Sequence, residues 1–295
     1  MTALAAPALP TGTVASAAPE YGDGLLDLHL RPDARGRTVL VSRRQRFPLR
    51  TTVPFHLDES APDMAFIYVQ NPTGGVFAGD RLHTFVTAEA RARVHLTTQS
   101  ATKLYRCEAG EARQEMRFSL AAGAYVEHLP DPLIPQAGAR FRQRTVIELD
   151  ESAVFVGAET IAPGRGGFGE RFVYGLLDLR TEIWCAGREL CVDSLRFEPG
   201  RARPTRAGAL GASDYLVTLL AVAPAHDVGA LTRAIAAALA SDPAIVGGAG
   251  ELPDGAGVLV RVLAGNAPQA ARGLRTAWAA VRRTLLDLPL PVVRK

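Results

Sequence analysis

The chain has 295 residues, 47% of them hydrophobic, enough apolar surface for a substantial core without disulfide or metal staples. Its 33 basic residues against 30 acidic ones leave a net charge of +3, which gives no reason to expect nucleic acid or an anionic membrane as partner. Three cysteines, Cys107, Cys185 and Cys191, form no C-x-x-C pair and cannot all be bridged, which fits a reducing cytoplasm, and no apolar stretch is long enough to cross a bilayer.

Residues 1–20 are rich in Ala and Pro and lack Lys and Arg, so a flexible tail is expected there in preference to a signal peptide. From 21 to 204 two-residue alternation dominates, as in Leu177, Leu179 and Ile183 against Asp178, Arg180 and Glu182, and predicts a β-rich core. The segment GRTVLVSRRQRFPLRTTVPF (36–55) reads as a strand with a basic run, Arg43, Arg44, Arg46 and Arg50. A solvated strand edge and a docking patch for an acidic partner weigh equally for it. In NPTGGVFAGDRL (71–82), Gly74, Gly75 and Gly79 allow backbone conformations closed to other residues, and Asp80 closes the loop as a turn residue. A strand and the hydroxyl-rich segment TTQSATKLYR (97–106) follow.

Within this region a strand, a small-residue turn and a second strand recur in VTAEARARVHL (86–96), SLAAGAYVEHL (119–129) and ELDESAVFVGA (148–158), with starts 33 and 29 residues apart. A fourth unit, LDLRTEIWCAGRELCVDSLRF (177–197), turns at Ala186 and Gly187. Spacing of about 30 residues suits stacked β coils, each covering the apolar face of the last, and a meandering sandwich nearly as well. Residues 205–295 are expected to complete the same domain with an α/β part: an alanine-rich helix at 231–242, a strand at 257–265 and a final helix. That helix opens on Asn266, Pro268 and Gln269, and its stripe of Leu274, Trp278, Val281 and Leu285 is expected to cover the β core.

Gly164, Gly166 and Gly169 spell G-x-G-x-x-G, but a dinucleotide fingerprint needs a helix to begin there, whereas ERFVYGLLDLRTEIW continues as alternating strand. The 71–80 loop lacks the G-K-[ST] ending of a phosphate loop, and no G-x-S-x-G elbow occurs. The six histidines, His29, His56, His83, His95, His128 and His226, form no i, i+4 pair and no H-x-H cluster, so no closed metal site is encoded in a local motif.

Four segments taken together resemble one family. P-x-G-G-x-x-x-G-D-x-L at 72–82, T-T-x-x-x-T-K-x-Y-R at 97–106, the basic P-L-R segment before Phe55, and G-R-x-x-x-G-E-x-F-x-x-G at 164–175 follow the order found in the urease accessory proteins of the UreD (UreH) family. The likeness runs from Leu25 to Leu288. It favours the stacked, β-helix-like arrangement, mainly β with two C-terminal α-helices. One departure is that LPDPLIPQAGAR places Asp131 and Pro132 where the family has Gln-Glu and an aromatic, which leaves Asp131 as the nearest acidic substitute.

The resemblance implies a scaffold with no catalytic residues, joining apo-urease to the UreF and UreG accessory proteins in a heteromeric complex that is dimeric through UreF. It also implies no tightly bound cofactor, with nickel present only transiently on its way to urease through a polar tunnel. Motif positions nominate Asp80, Thr98, Thr102, Lys103, Asp131 and Glu170 as tunnel-lining groups. Arg43, Arg44, Arg46, Arg50, Arg282 and Arg283 are nominated as partner contacts. The competing class is a carbohydrate-active lyase or hydrolase on a β-helix, which would want grouped carboxylates and aromatic platforms; aromatics are 6% of this chain.

Overall fold

The protein is described by a computed structural model covering residues 23–293, so the expected tail at 1–20 lies outside the described residues. In β1 (Asp23–Pro32) every second side chain is buried, with Leu26, Leu28 and Leu30 inside. It is followed by β2 (Thr38–Arg46), β3 (Arg50–Thr51) and β4 (Ala65–Gln70), and then by a series of coils.

One coil runs through β5 (Arg81–Ala88), β6 (Arg93–Thr98) and β7 (Thr102–Leu104), and the next through β8 (Ala112–Leu120), β9 (Tyr125–His128) and β10 (Leu133–Pro135). A third uses β11 (Arg140–Leu149) and β12 (Val154–Ile161), and β13 (Leu176–Cys185) begins a fourth. Corresponding strands stack in parallel: Arg81 faces Arg113, Ala112 faces Phe141 and Arg140 faces Leu176, separations of 32, 29 and 36 residues. The recurrence of about 30 residues is therefore the length of one coil, and the stacked arrangement holds over the sandwich. Asp23 of β1 faces Arg81, 58 residues on, or twice the 29-residue coil.

The fourth sequence unit behaves differently. Units one to three cross a corner from one sheet to the other, whereas β13 folds back on β14 (Arg188–Phe197) as an antiparallel hairpin. Ala186 and Gly187 both have positive φ, 48° and 78°, and two successive left-handed residues make a tight hairpin turn, while Gly123 is a single left-handed residue at its corner. The hairpin closes that end of the seven-stranded sheet, β14-β13-β11-β8-β5-β1-β2.

The other sheet has ten strands. After β15 (Tyr215–Val222) come α1 (Val228–Ala240), β16 (Val246–Glu251), β17 (Gly257–Ala264) and α2 (Ala267–Leu286), and β15, β17 and β16 extend this sheet antiparallel from β12. One apolar core, including Leu28, Phe118, Phe141, Ile147 and Leu177, fills the space between the sheets. A second, with Phe66, Val156, Leu219 and Val260, lies between the outer face of the ten-stranded sheet and the two helices, which contribute Leu231, Ile235, Trp278 and Val281. Because both its faces are covered, β15 reads as an apolar run broken at Thr218.

The final helix starts as its sequence predicts: Asn266 Oδ1 accepts from Gln269 N at 3.0 Å, and Gln269 Oε1 accepts from Gly265 N at 3.0 Å. No helix among the described residues is long and apolar enough to cross a membrane. The three cysteines are free thiols.

Candidate functional site: a polar interior

Coil stacking turns residues about 30 apart into rows, and several rows that point between the sheets are polar. On the seven-stranded sheet Thr84, Met116, Thr145 and Thr181 lie side by side across four strands, beside a second row containing Gln114 and Gln143. Across from them on the ten-stranded sheet, Leu96, His128 and Gly157 form one row, and Glu159, Thr218 and Arg261 another. Thr84, Gln143, Thr145 and Thr218 are each under 10% exposed. Polar side chains are seldom placed so deep unless they are hydrogen-bonded or hydrated.

Two cavities lie among these rows. One, of about 60 Å³, is walled by Thr84, Thr98, Thr102, Gln114, Asp131 and Gln143 together with apolar neighbours. The other, of about 40 Å³, is walled by Thr145, Thr181, Asp193 and Thr218 among others. Since a single water needs roughly 10–15 Å³, each has room for several. Met116, His128 and Glu159 line both cavities, so the two abut at these three side chains. Thr145 Oγ1 is buried with no hydrogen-bond partner among the described residues.

The charged groups of the interior are tuned by this setting. Burial pushes the Glu159 carboxyl up to about 7, and the nearby Asp193 charge adds to the effect, while the hydrogen bond from Gln143 Nε2 and the Arg261 charge oppose it. Burial, helped by His95, lowers the His128 imidazolium to about 4, so its ring is neutral at physiological pH and keeps a lone pair. Beyond Thr218, Arg261 Nη2 donates to both oxygens of Asp193 at 2.7 and 2.8 Å. These two residues are only partly buried, and they carry the polar row from the interior toward solvent.

Of the six expected tunnel residues, Thr98, Thr102 and Asp131 meet on the wall of the larger cavity, where Thr98 Oγ1 accepts from Asp131 N at 2.8 Å. The other three lie elsewhere. Lys103 is exposed, because on a strand its neighbours Thr102 and Leu104 take the opposite face. Asp80 Oδ2 accepts from Phe77 N at 2.9 Å and fastens the glycine loop. Glu170 accepts from Arg165 Nε at 2.9 Å and Ala137 N at 3.2 Å, and the Arg165 hydrogen bond lowers its carboxyl below the ordinary value. In the same loop region Gly74 and Gly79 have φ of 79° and 85°, whereas Gly75 serves close approach: a Cβ there would sit 2.5 Å from the Lys103 carbonyl oxygen.

The expected partner contacts divide similarly. Arg43 and Arg44 are exposed, Arg44 pairing with Asp27 at 3.3 Å, while Arg46 Nε donates to Asp23 O at 2.6 Å and Arg50 reaches the Leu49 carbonyl. Arg283 is exposed and pairs with Asp287. Arg282 is not a surface residue at all. It is 0% exposed, pairs with Asp58 and lies 3.7 Å from Glu127 Oε2. Around it Glu127 accepts from Tyr125 Oη at 2.7 Å and Trp278 Nε1 at 3.0 Å, with His95 Nδ1 at 2.8 Å. Burial raises the Glu127 carboxyl, but the His95 bond and the His95 and Arg282 charges outweigh it and keep it ionised below the ordinary value. This cluster binds α2 to the outer face of the ten-stranded sheet.

Among the described residues no group of three or more His, Cys, Asp or Glu side chains is gathered as a metal site. His29 and His83 instead pair with Glu89 and Glu115 on the surface, at 2.8 and 3.6 Å. His128, Gln143 and Glu159 were missed by sequence reasoning. Their only signal was a polar residue at an inward position of an alternating strand.

The sequence model of the family described as "UreD urease accessory protein" matches residues 22–295. A "Urease accessory protein UreD" of Mycolicibacterium gilvum is 38% identical over 269 residues, covering 91% of this chain and 97% of that protein. "Urease accessory protein UreD 2" of Streptomyces griseus is 37% identical, covering 92% and 93%. The corresponding protein of Haloarcula marismortui is 33% identical, covering 92% and 90%. With four motifs in order, a coil-stacked β fold and relatives matched over nearly their full length, the chain belongs to the UreD family of urease accessory proteins.

Proposed function

We propose that this protein is a non-enzymatic scaffold of urease maturation in the cytoplasm, which binds apo-urease and the UreF and UreG proteins and through which nickel passes as cargo. The observation that carries this reading is the pair of cavities inside the coil stack, whose largely apolar walls carry hydroxyl, amide and carboxylate groups from successive coils. A packed apolar filling would be the more stable choice for a solenoid interior, so polar rows there favour a hydrated route. Conduction requires binding weak enough for release, which hydroxyls, amides and water provide. Exposed Arg43, Arg44 and Arg283 remain the partner contacts of this proposal, and the complex is a heteromer that is dimeric through UreF. The names of the relatives, all accessory proteins, favour it over a carbohydrate-active β-helix enzyme.

The test is co-expression with urease and the other accessory proteins. Thr98→Phe and Thr102→Phe, which fill the larger cavity, are expected to leave the complex assembled while lowering the nickel content of the urease produced. Nickel loading equal to wild type in an assembled complex would overturn the passage. Turnover of a glycan by the isolated chain would overturn the scaffold.

A further inference from the structure

The two interior cavities meet at three side chains, Met116 of β8, His128 of β9 and Glu159 of β12, each of which lines both. They come from consecutive coils and from both sheets. Met116 and His128 are 5% and 9% exposed. Glu159 is partly buried. These three groups form the shared wall between the two cavities.

Their chemistry is selective. A thioether, a neutral imidazole and a carboxylate form a soft, borderline and hard donor set. Such a set favours late first-row divalent ions over magnesium or calcium, which prefer oxygen alone. The His128 ring is held in place by Phe118, 5.0 Å away between centroids, and Glu159 by the Gln143 amide, so both donors are oriented before an ion arrives. The Thr145 side chain, next to Met116 in its row, is among the groups that wall the smaller cavity.

We infer that Met116, His128 and Glu159 form a transient, selective coordination station for a borderline divalent cation at the neck between the two cavities. The inference rests on the passage proposed above and adds to it the point at which the ion is chosen. With three protein donors and the remaining positions left to water, the station holds an ion without trapping it.

The experiment uses the chain in its co-purified accessory complex, with nickel(II) chloride as probe and magnesium as competitor. Nickel K-edge absorption is compared between the wild type and Met116→Leu, a change of similar volume that removes only the sulfur. The expected result is a sulfur contribution in wild type that is lost in Met116→Leu. Nickel affinity of one weak class of site should also fall roughly tenfold or more in His128→Gln or Glu159→Gln, with a large excess of magnesium leaving wild-type binding unchanged. Spectra identical in wild type and Met116→Leu, or displacement of nickel by magnesium, would overturn the station. A wild-type spectrum without a sulfur contribution would also overturn it, even where a variant fails to fold. If the station is absent but Thr98→Phe still starves urease of nickel, the passage stands without it; if neither perturbation has an effect, both fall.

Discussion

Arg282 gives the most severe test of how the helices are attached. Its guanidinium is 0% exposed and faces Asp58, 4% exposed, and Glu127, 0% exposed. In Arg282→Met the charge and its hydrogen bonds are lost and the side chain ends two atoms short of the guanidinium nitrogens, while most of its volume is kept, so the electrostatic change dominates. Glu127 retains His95, Tyr125 and Trp278, but Asp58 is left with the Ser60 amide at 3.0 Å as its hydrogen-bond donor. Removing one partner of a buried ion pair typically costs about 3–5 kcal/mol, because the remaining carboxylate is neither hydrated nor paired. Against a total stability of roughly 5–15 kcal/mol that is a large fraction, and poor recovery of soluble protein is expected. Adding Asp58→Asn removes the orphaned charge and should restore a substantial part of the loss. The measurement is urea unfolding of the chain on a soluble carrier, followed by tryptophan fluorescence. Trp278 is a direct reporter, since the Arg282 guanidinium lies 5.7 Å from its ring centroid. A loss below about 1 kcal/mol, or a double variant no more stable than the single one, would refute the ion-pair account of helix docking.

Two further outcomes follow from the interior and the loop. With its carboxyl raised from 4.5 to about 7, Glu159 binds a proton more tightly folded than unfolded, so its contribution is fully present below pH 4.5 and is lost as pH rises through 7. At about 1.4 kcal/mol per pH unit the loss is about 3 kcal/mol, and Glu159→Gln should flatten that segment of a stability-versus-pH curve measured by urea titration; an unchanged slope would contradict the burial of this group. At the glycine loop, Gly75→Ala places a methyl 2.5 Å from the Lys103 carbonyl oxygen and against the Tyr105 ring. The loop must lift from β7, at a cost of roughly 1–3 kcal/mol and with faster amide exchange at Val76, whose N donates to Lys103 O at 2.8 Å.

Much of the architecture was legible because its causes are local. Alternation marked the strands, the interval of about 30 residues marked the coil, and the cap at Asn266 marked the last helix within a residue. The hairpin at Ala186 and Gly187 differed from the corner turns through two positive φ values, a property of backbone geometry that small residues permit without revealing. Arg282 was illegible for a different reason. On an amphipathic helix carrying Arg272, Arg275 and Arg283, nothing local separates the buried arginine from its neighbours, and its partner Asp58 is 224 residues away in sequence. Of the three motif-based candidates that do not line the cavities, Lys103 is turned away because a strand sends alternate residues to opposite faces, so that Thr102 and Lys103 could not both line one passage, whereas Asp80 and Glu170 are held in loop hydrogen bonds.

The interior station was illegible in principle from any short window. Its groups lie one coil apart in chain terms, as His128 and Glu159 do, or on opposite sheets, as Met116 and His128 do, and local motifs for metal ligation assume a single helix or hairpin. The stacking geometry nevertheless dictates what to look for, because any polar residue at an inward position has neighbours of known identity in the coils above and below. Thr84, Met116, Thr145 and Thr181 show this on one sheet, and Glu159, Thr218 and Arg261 on the other. Three hydroxyls in one inward row, where a valine of nearly equal size would pack without an unsatisfied oxygen, are hard to explain by stability. A coil stack chosen for rigidity alone would fill that row with apolar side chains, as this one does in neighbouring rows at Phe118, Phe141 and Ile147. The division of one interior into apolar and polar rows therefore separates the part of the core that holds the coils together from the part that brings polar groups to the two cavities.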